Sequence, residues 1–196
     1  MSELFPDGDE ARTLARLHER LARAADRDAL LDVGYRLVDS PVGPLLLAAT
    51  EAGLVRVAFD GEVREDEVLQ ELAEQVGARV LAAPRRLDRA AAELEEYFAG
   101  RRRRFDVALD LRLARGFRRA VVEHLADIGY GRTASYSEVA SLAGSPRAVR
   151  AVGTACALNP LPVVLPCHRV VRADGSLGQY AGGPERKRAL LDLEQH

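Results

Sequence analysis

The sequence predicts an α+β fold: a small N-terminal α+β domain followed by a mostly helical domain with a helix-turn-helix. Three observations predict it. Apolar and polar residues alternate at strand period within 35–59. From Phe117 the apolar period lengthens to that of helices. Finally, two short helical stretches, 135–143 and 146–158, are joined by Gly144-Ser145, the spacing of a helix-turn-helix. The divisions read as an N-terminal extension of helical pattern, 1–31, an α+β domain, 32–112, and a helix-turn-helix and active-site domain, 113–196.

Taken in order, residues 10–25 form the first predicted helix, with Leu14, Leu17 and Leu21 on one stripe. Strands follow within 35–59, broken first at Ser40-Pro41-Val42-Gly43-Pro44 and again at Glu51-Ala52-Gly53. Val55, Val57 and Phe59 alternate with Arg56 and Ala58, as a half-buried strand requires. A charged amphipathic helix spans 65–76 and stops at Gly77. Leu87, Ala91, Leu94 and Phe98 mark the next helix, with Gly100 as its C-cap. Phe105, Val107 and Leu109 alternate as one more strand. Phe117, Val121, Leu125 and Ile128 then share a helical face. After Gly129-Tyr130-Gly131 comes the helix-turn-helix, with Pro146 placed near the first position of its second helix, where a missing N–H costs nothing.

Composition bounds the function. Hydrophobic residues make up 47% of the chain and charged residues 30%, an ordinary globular balance. No apolar run approaches the ~20 residues of a membrane span, and the acidic N-terminus does not read as a secretory signal. Two cysteines are too few for a disulfide framework, and free thiols suit a reducing cytoplasm. The net charge of −2 is unevenly spread. Residues 113–196 carry 11 Arg and Lys against 7 Asp and Glu, while residues 1–112 carry 17 against 23. A mildly basic C-terminal half can face phosphates, and chance asymmetry explains it equally well.

The most informative stretch is Asn159-Pro160-Leu161-Pro162-Val163-Val164-Leu165-Pro166-Cys167-His168-Arg169-Val170. A cysteine before a histidine, after prolines and an apolar run, points to a thiol held rigidly in a pocket. The thiolate is the nucleophilic form, and a free cysteine has a pKa of ~8.5, so a base or a positive charge is needed near neutral pH. Neighbouring side chains in extended backbone point to opposite faces, so a water between His168 and Cys167 is favoured over direct contact. A carboxylate would orient the histidine, and sequence physics alone does not choose which one. The alternative is a buried structural cysteine with an incidental histidine. A glycine-rich loop, Gly178-Gln179-Tyr180-Ala181-Gly182-Gly183, is placed to lie over a planar ligand.

Pro166-Cys167-His168-Arg169-Val170 resembles the active-site signature of the O6-alkylguanine-DNA alkyltransferase family. The resemblance runs from about Tyr35 to Glu194 and includes Arg150-Ala151-Val152-Gly153, Asn159-Pro160 and Tyr180-Ala181-Gly182-Gly183, in the family's order. It implies DNA repair by irreversible, single-turnover transfer of an alkyl group from O6-alkylguanine, with O4-alkylthymine as a candidate second substrate. It implies Cys167 as acceptor, His168 as the water-linked base and Glu194 as the carboxylate orienting it. Tyr136 matches the tyrosine that meets the flipped guanine and helps rotate its nucleotide. Arg150 matches the arginine that fills the gap left in the stack, and Arg147 lies beside it as a DNA-binding candidate. Asn159 matches the asparagine bracing the active-site turn. Val170 through its carbonyl, Ala181 through its amide and Tyr180 through its ring match the walls of the base pocket. Taken alone, Tyr136 is equally a core residue, Arg150 a solvated one, Asn159 a helix cap and Glu194 a frayed end.

The physics suits these roles. A methyl on O6 is unreachable while the base is stacked, so the base must flip out at a cost of a few kcal/mol. An arginine in the vacated space offsets part of that cost. Ala148, Ala151, Gly153 and Ala155 allow close approach to DNA. The family's minor-groove docking is sequence-degenerate, which fits damage at any sequence. The chain also departs from the family. Val122 stands where many relatives carry tryptophan, and Ala157 and Leu158 stand where they often carry arginine. Cys156 reads as a small buried hydrophobe, and Arg101 to Arg104 as a solvated loop. The resemblance implies double-stranded DNA carrying O6-alkylguanine as partner, a monomer, no membrane, a cytoplasmic location and no cofactor. No zinc is expected either: some relatives hold one in the N-terminal domain, but only His18 precedes residue 113 as a Cys or His ligand.

Three other functions compete. An alkyltransferase-like lesion binder would lack the acceptor that Cys167 provides. A helix-turn-helix regulator would place polar base-reading side chains where Ala148, Val149, Ala151, Val152 and Gly153 stand. A cysteine hydrolase or thiol oxidoreductase remains open, although there is no Cys-x-x-Cys.

Overall fold

The computed structural model describes residues 7–59 and 64–195. Helix α1 (Asp7–Arg27) leads into a four-stranded sheet made of β1 (Val33–Val38), β2 (Leu45–Thr50), β3 (Gly53–Phe59) and β4 (Val80–Ala82), in the order β3-β2-β1-β4. β1–β2 and β2–β3 are antiparallel, as tight turns between consecutive strands require, whereas β4 joins β1 in parallel after the crossover helix α2 (Glu65–Gln75). Helix α3 (Asp88–Phe98) completes this part. The second part holds α4 (Gly116–Leu125), β5 (Ala134–Ser135), α5 (Tyr136–Leu142), α6 (Val149–Ala157), β6 (Val170–Val171) and α7 (Gly183–Leu193). The α+β class and its order are therefore as the sequence predicts.

The two faces of the sheet explain its alternation. Leu45, Leu47, Val57 and Phe59 point into a core that also contains Leu94 and Tyr97 of α3, Val121, Val122 and Leu125 of α4, and Cys167. Leu46, Ala48, Val55 and Ala58 point the other way, onto Val68 and Leu72 of α2. The first core is continuous across both parts of the chain, so the N-terminal sheet is a wall behind the helical part rather than a separate module. Val122 is fully buried in it, a smaller side chain filling a core position.

Several elements differ from expectation. The strand predicted over Phe105, Val107 and Leu109 is reduced to one parallel bridge, Leu54 to Leu109. That stretch crosses Gly53 at backbone contact. A Cβ there would lie 2.3 Å from the Ala108 carbonyl oxygen, and Gly53 has φ +143°, so only glycine fits. The short strand β4 was not legible as a strand. The second helix of the helix-turn-helix begins at Val149, so Pro146 and Arg147 lie in the turn before it. Ala148 N–H bonds back to the Ser145 carbonyl, which sets that turn. Helix α1 forms, but its leucine stripe faces outward: Leu14, Leu17 and Leu21 are 59%, 52% and 58% exposed. It is held instead by Ala22, by His18 Nε2 at 2.9 Å from the Ala82 carbonyl, and by Asp26 with Arg86. Arg102 is tied to Glu93, Glu96 and Asp106, so the arginine loop is a surface ion-pair network. No helix among the described residues is long and apolar enough to cross a membrane.

Candidate active site

The loop between α6 and β6 holds Cys167 and His168, and its own side chains shape it. Asn159 does most of this. Its Oδ1 accepts from Leu161 N–H at 3.0 Å and its Nδ2 donates to the Leu165 carbonyl at 2.8 Å, closing the loop across a fully buried pair of bonds. Leu165 N–H donates to the Leu161 carbonyl and Cys167 N–H to the Leu165 carbonyl, both at 2.8 Å. Val163 is held at φ +73°, a left-handed conformation that a β-branched residue adopts only under strong constraint. The sheet helps: Val57 N–H of β3 donates to the Pro160 carbonyl at 2.8 Å. Cys167 opens a single 3-10 turn, Cys167–Arg169, at the end of this loop.

Cys167 is 2% exposed and His168 is fully buried. His168 Nε2 lies 3.0 Å from Glu194 Oε1. With Glu194 ionised, Nε2 carries the proton and donates it, which leaves Nδ1 as an unprotonated lone pair. Among the described residues Nδ1 has no hydrogen-bond partner. The histidine is thus fixed in the tautomer that can accept a proton on the nitrogen turned away from the carboxylate.

Glu194 caps α7 and is buried, not frayed. Arg169 grips it with two nitrogens, Nε to Oε2 at 2.9 Å and Nη2 to Oε1 at 2.8 Å, while Nη1 reaches the Ile128 carbonyl. Tyr97 OH of α3 donates to Oε1 at 2.7 Å and Gly131 N–H to Oε2 at 3.1 Å. Gly131 has φ +69°, and a Cβ there would come within 2.8 Å of the Glu194 carbonyl oxygen, so the close approach needs glycine. Burial opposes the carboxylate's charge, but the hydrogen bonds from His168 and Arg169, the nearby His168 and the Tyr97 hydroxyl outweigh it and hold Glu194 down at about 2. Burial likewise lowers His168 from its ordinary value despite the carboxylate beside it, so the imidazole is neutral at pH 7. The Cys167 thiol is pushed up to about 11 by burial, against the pull of the Asn159 carboxamide, the Lys187 ammonium and two backbone amides toward the thiolate. An isolated buried thiol of this kind is inert. A base that removes its proton during the reaction makes it a nucleophile.

The remaining candidates sort into two groups. Tyr136 and Tyr180 join the thiol and imidazole. Tyr180 stands edge-on to His168 with ring centroids 6.4 Å apart and packs on Phe59 at 5.9 Å. Tyr136 begins α5 beneath the capping box of Ser135 and Glu138, and its hydroxyl reaches the Gln179 carbonyl at 3.4 Å. Ala181 follows Tyr180 and is partly exposed. The Val170 carbonyl accepts from Lys187 Nζ at 2.6 Å. Arg150, on the first turn of α6, and Arg147, in the turn before it, are both exposed and stand apart from this cluster, on the surface of the helix-turn-helix.

Sequence reasoning missed four contributors: Arg169, Tyr97, Gly131 and Lys187. Arg169 was quoted within the signature but given no task, and Tyr97 is contributed by the other part of the chain. The pattern that would have found Lys187 is helical. Lys187, Leu190 and Glu194 stand at i, i+3 and i+7 of α7, and all three are buried.

A buried thiol, a neutral histidine and a carboxylate behind a helix-turn-helix define a nucleophilic-cysteine protein that meets DNA. The comparisons agree. Residues 33–111 match the family model of the 6-O-methylguanine DNA methyltransferase ribonuclease-like domain, and residues 116–196 that of its DNA binding domain. A methylated-DNA–protein-cysteine methyltransferase from Mycobacterium tuberculosis is 41% identical over 163 residues, 83% of this chain and 93% of that one. One from Methanosarcina barkeri is 38% identical over 162 residues, 83% and 97%. A crystal structure of M. tuberculosis OGT in complex with DNA superposes with a TM-score of 0.71 at 40% identity, covering 83% of this chain and 92% of that one. The chain belongs to the 6-O-methylguanine DNA methyltransferase family. It is a DNA-repair alkyltransferase that uses a protein cysteine as acceptor.

Proposed function

We propose that Cys167 takes the alkyl group from O6-alkylguanine in double-stranded DNA, once per chain, and that O4-alkylthymine is a second substrate. The observation that supports this most is the His168 imidazole, pinned through Nε2 by Glu194, with Nδ1 left as a lone pair without a hydrogen-bond partner among the described residues. In this reading the thiol proton passes to Nδ1 through a water, because neighbouring side chains of the 3-10 turn lie about a third of a turn apart. The sulfur then attacks the alkyl carbon, an S–C bond forms, the C–O6 bond breaks, and guanine leaves after taking a proton from the Tyr136 side of the pocket. The thioether has no carbonyl for water to attack, so the protein is consumed.

We assign the flipped base to the space among Tyr136, Tyr180, the Ala181 amide and the Val170 carbonyl. Asn159 holds the loop beneath it, and Arg150 and Arg147 lie on the DNA-facing helix-turn-helix. Residues 113–196 do the chemistry on this reading, residues 32–112 brace it, and the chain works as a monomer without metal or cofactor. The direct test incubates the protein with duplex DNA labelled on the O6-methyl group. Label bound covalently to protein is expected, and label remaining on DNA would contradict the function.

Arg150→Ala separates flipping from chemistry. Repair of duplex DNA is expected to fall about tenfold, the worth of one stacked guanidinium, while reaction with free O6-benzylguanine, which needs no flipping, stays unchanged. Equal losses on the two substrates would contradict the assignment.

A further inference from the structure

Residues 176–180 belong to no helix or strand. Regular backbone pairing therefore does not fix where the Tyr180 ring stands, and side chains must. The ring packs edge-on against His168, with centroids 6.4 Å apart, and against Phe59, with centroids 5.9 Å apart and planes at 66°. Edge-to-face contact is a preferred geometry for aromatic pairs. Phe59 comes from the other part of the chain, as the last residue of β3, and is 3% exposed.

Phe59 is itself held from several sides. Its backbone is paired with Leu45 of β2. The Arg186 guanidinium of α7 lies 5.1 Å from its ring centroid, and Arg186 Nε donates to the Val42 carbonyl at 2.7 Å, in the turn between β1 and β2. Two residues earlier on β3, the Val57 N–H holds the Pro160 carbonyl of the loop that carries Cys167. Gly182 completes the arrangement. A Cβ there would lie 2.7 Å from a Tyr180 ring carbon and 2.9 Å from one of Phe59, so both rings pack against bare backbone.

We infer that Phe59 sets the position of the Tyr180 ring, and through it how large an O6-alkyl group the site accepts. It is a positioning residue that determines specificity, supplied by the N-terminal sheet. The inference rests on Tyr180 being a wall of the base pocket. A wall backed by a fixed ring in a close-packed core does not recede. An unyielding hydrophobic pocket distinguishes groups differing by one methylene about 10- to 200-fold, and benzyl exceeds methyl by a whole ring. Glu194 pins His168 without help from Phe59, so Phe59 acts on the fit of the alkyl group and leaves the proton transfer alone.

The test compares rate constants for transfer from O6-benzylguanine and from O6-methylguanine in the same duplex, as the ratio of benzyl to methyl. Wild type, Phe59→Ala, Phe59→Leu, Tyr180→Ala and the double alanine variant are measured, with folding checked by melting. In Phe59→Ala the ratio is expected to rise about tenfold, because the tyrosine recedes into the vacated space. Phe59→Leu keeps most of the volume but loses the ring edge, and is expected to raise it about threefold. A merely structural role would slow both substrates equally and leave the ratio in place, which overturns the proposal. If Phe59→Ala does not fold, an unmoved ratio in Phe59→Leu overturns it. Tyr180→Ala is expected to move the ratio by itself, and adding Phe59→Ala is expected to move it no further, because both act through one ring. A further shift in the double variant would mean that Phe59 acts without Tyr180, and also overturns the proposal. A ratio unmoved by Tyr180→Ala would sink the pocket assignment and the proposal with it; a ratio moved by Tyr180→Ala but by neither Phe59 variant sinks only the role of Phe59.

Discussion

Cys167→Ser is expected to reduce alkyl transfer below detection while DNA affinity stays within about twofold. A serine hydroxyl ionises far less readily than a thiol, and its buried site offers a neutral imidazole, too weak a base to generate an alkoxide. The substitution removes no hydrogen bond that shapes the loop, because Asn159 holds it through Leu161 and Leu165. The fold and the DNA-facing surface are therefore expected to survive. Cys156→Ser is the control. Cys156 is packed as a small hydrophobe on α6, and this variant is expected to transfer normally. An active Cys167→Ser, or a folded but dead Cys156→Ser, would contradict the assignment. Both are read by covalent label on protein, with melting curves as the check on folding.

Glu194→Ala is expected to be costly in a different way. It leaves Arg169 as a buried cation and removes the acceptor from Tyr97, the Gly131 amide and His168 at once. Breaking one side of a buried ion pair typically costs about 3–5 kcal/mol, and losing the fixed tautomer of a general base slows its step by roughly 10²–10⁴-fold. The pH dependence distinguishes this residue from a general packing defect. In the folded protein Glu194 titrates at about 2, against an ordinary value of 4.5. Its folded-state pKa is depressed, so the stability it contributes is complete above about pH 4.5 and is lost as pH falls toward 2. Chemical denaturation across that window is expected to show the wild type losing stability that Glu194→Ala never had, so the gap between them narrows on acidification. A gap that stays constant from pH 6 to pH 2.5 would contradict the ion-pair account.

How much of this was readable beforehand depends on how local each feature is. Strands β1 to β3 and helices α2 to α5 follow from short-range periodicity and from turn residues such as Gly43 and Gly53. The acceptor loop was legible because its asparagine, prolines, cysteine and histidine are contiguous. What escaped was non-local. Tyr97 reaches Glu194 across 97 positions, and nothing near Tyr97 in sequence marks it. Residues 105–109 have strand periodicity but meet the sheet only at its Gly53 end, so a single bridge forms. Leu14, Leu17 and Leu21 have the spacing of a core-facing stripe, yet the alanine face of α1 makes the contact, because Ala22 packs closely with Leu31 and Ala83. Lys187 reads as a solvated helix residue until its face is matched with that of Glu194. For Cys167 and Glu194, family resemblance raised positions that local physics left ambiguous, and in the structure Glu194 bonds to His168, the residue after Cys167.

Titration with excess duplex DNA labelled on the O6-methyl group, followed by peptide mapping, tests the central claim most directly. A single acceptor with no step that regenerates it predicts a plateau at about one alkyl group per chain, with the label on the peptide containing Cys167 as a thioether. Continued consumption of methylated DNA beyond that plateau, or label settling on Cys156 or any other residue, would contradict the account.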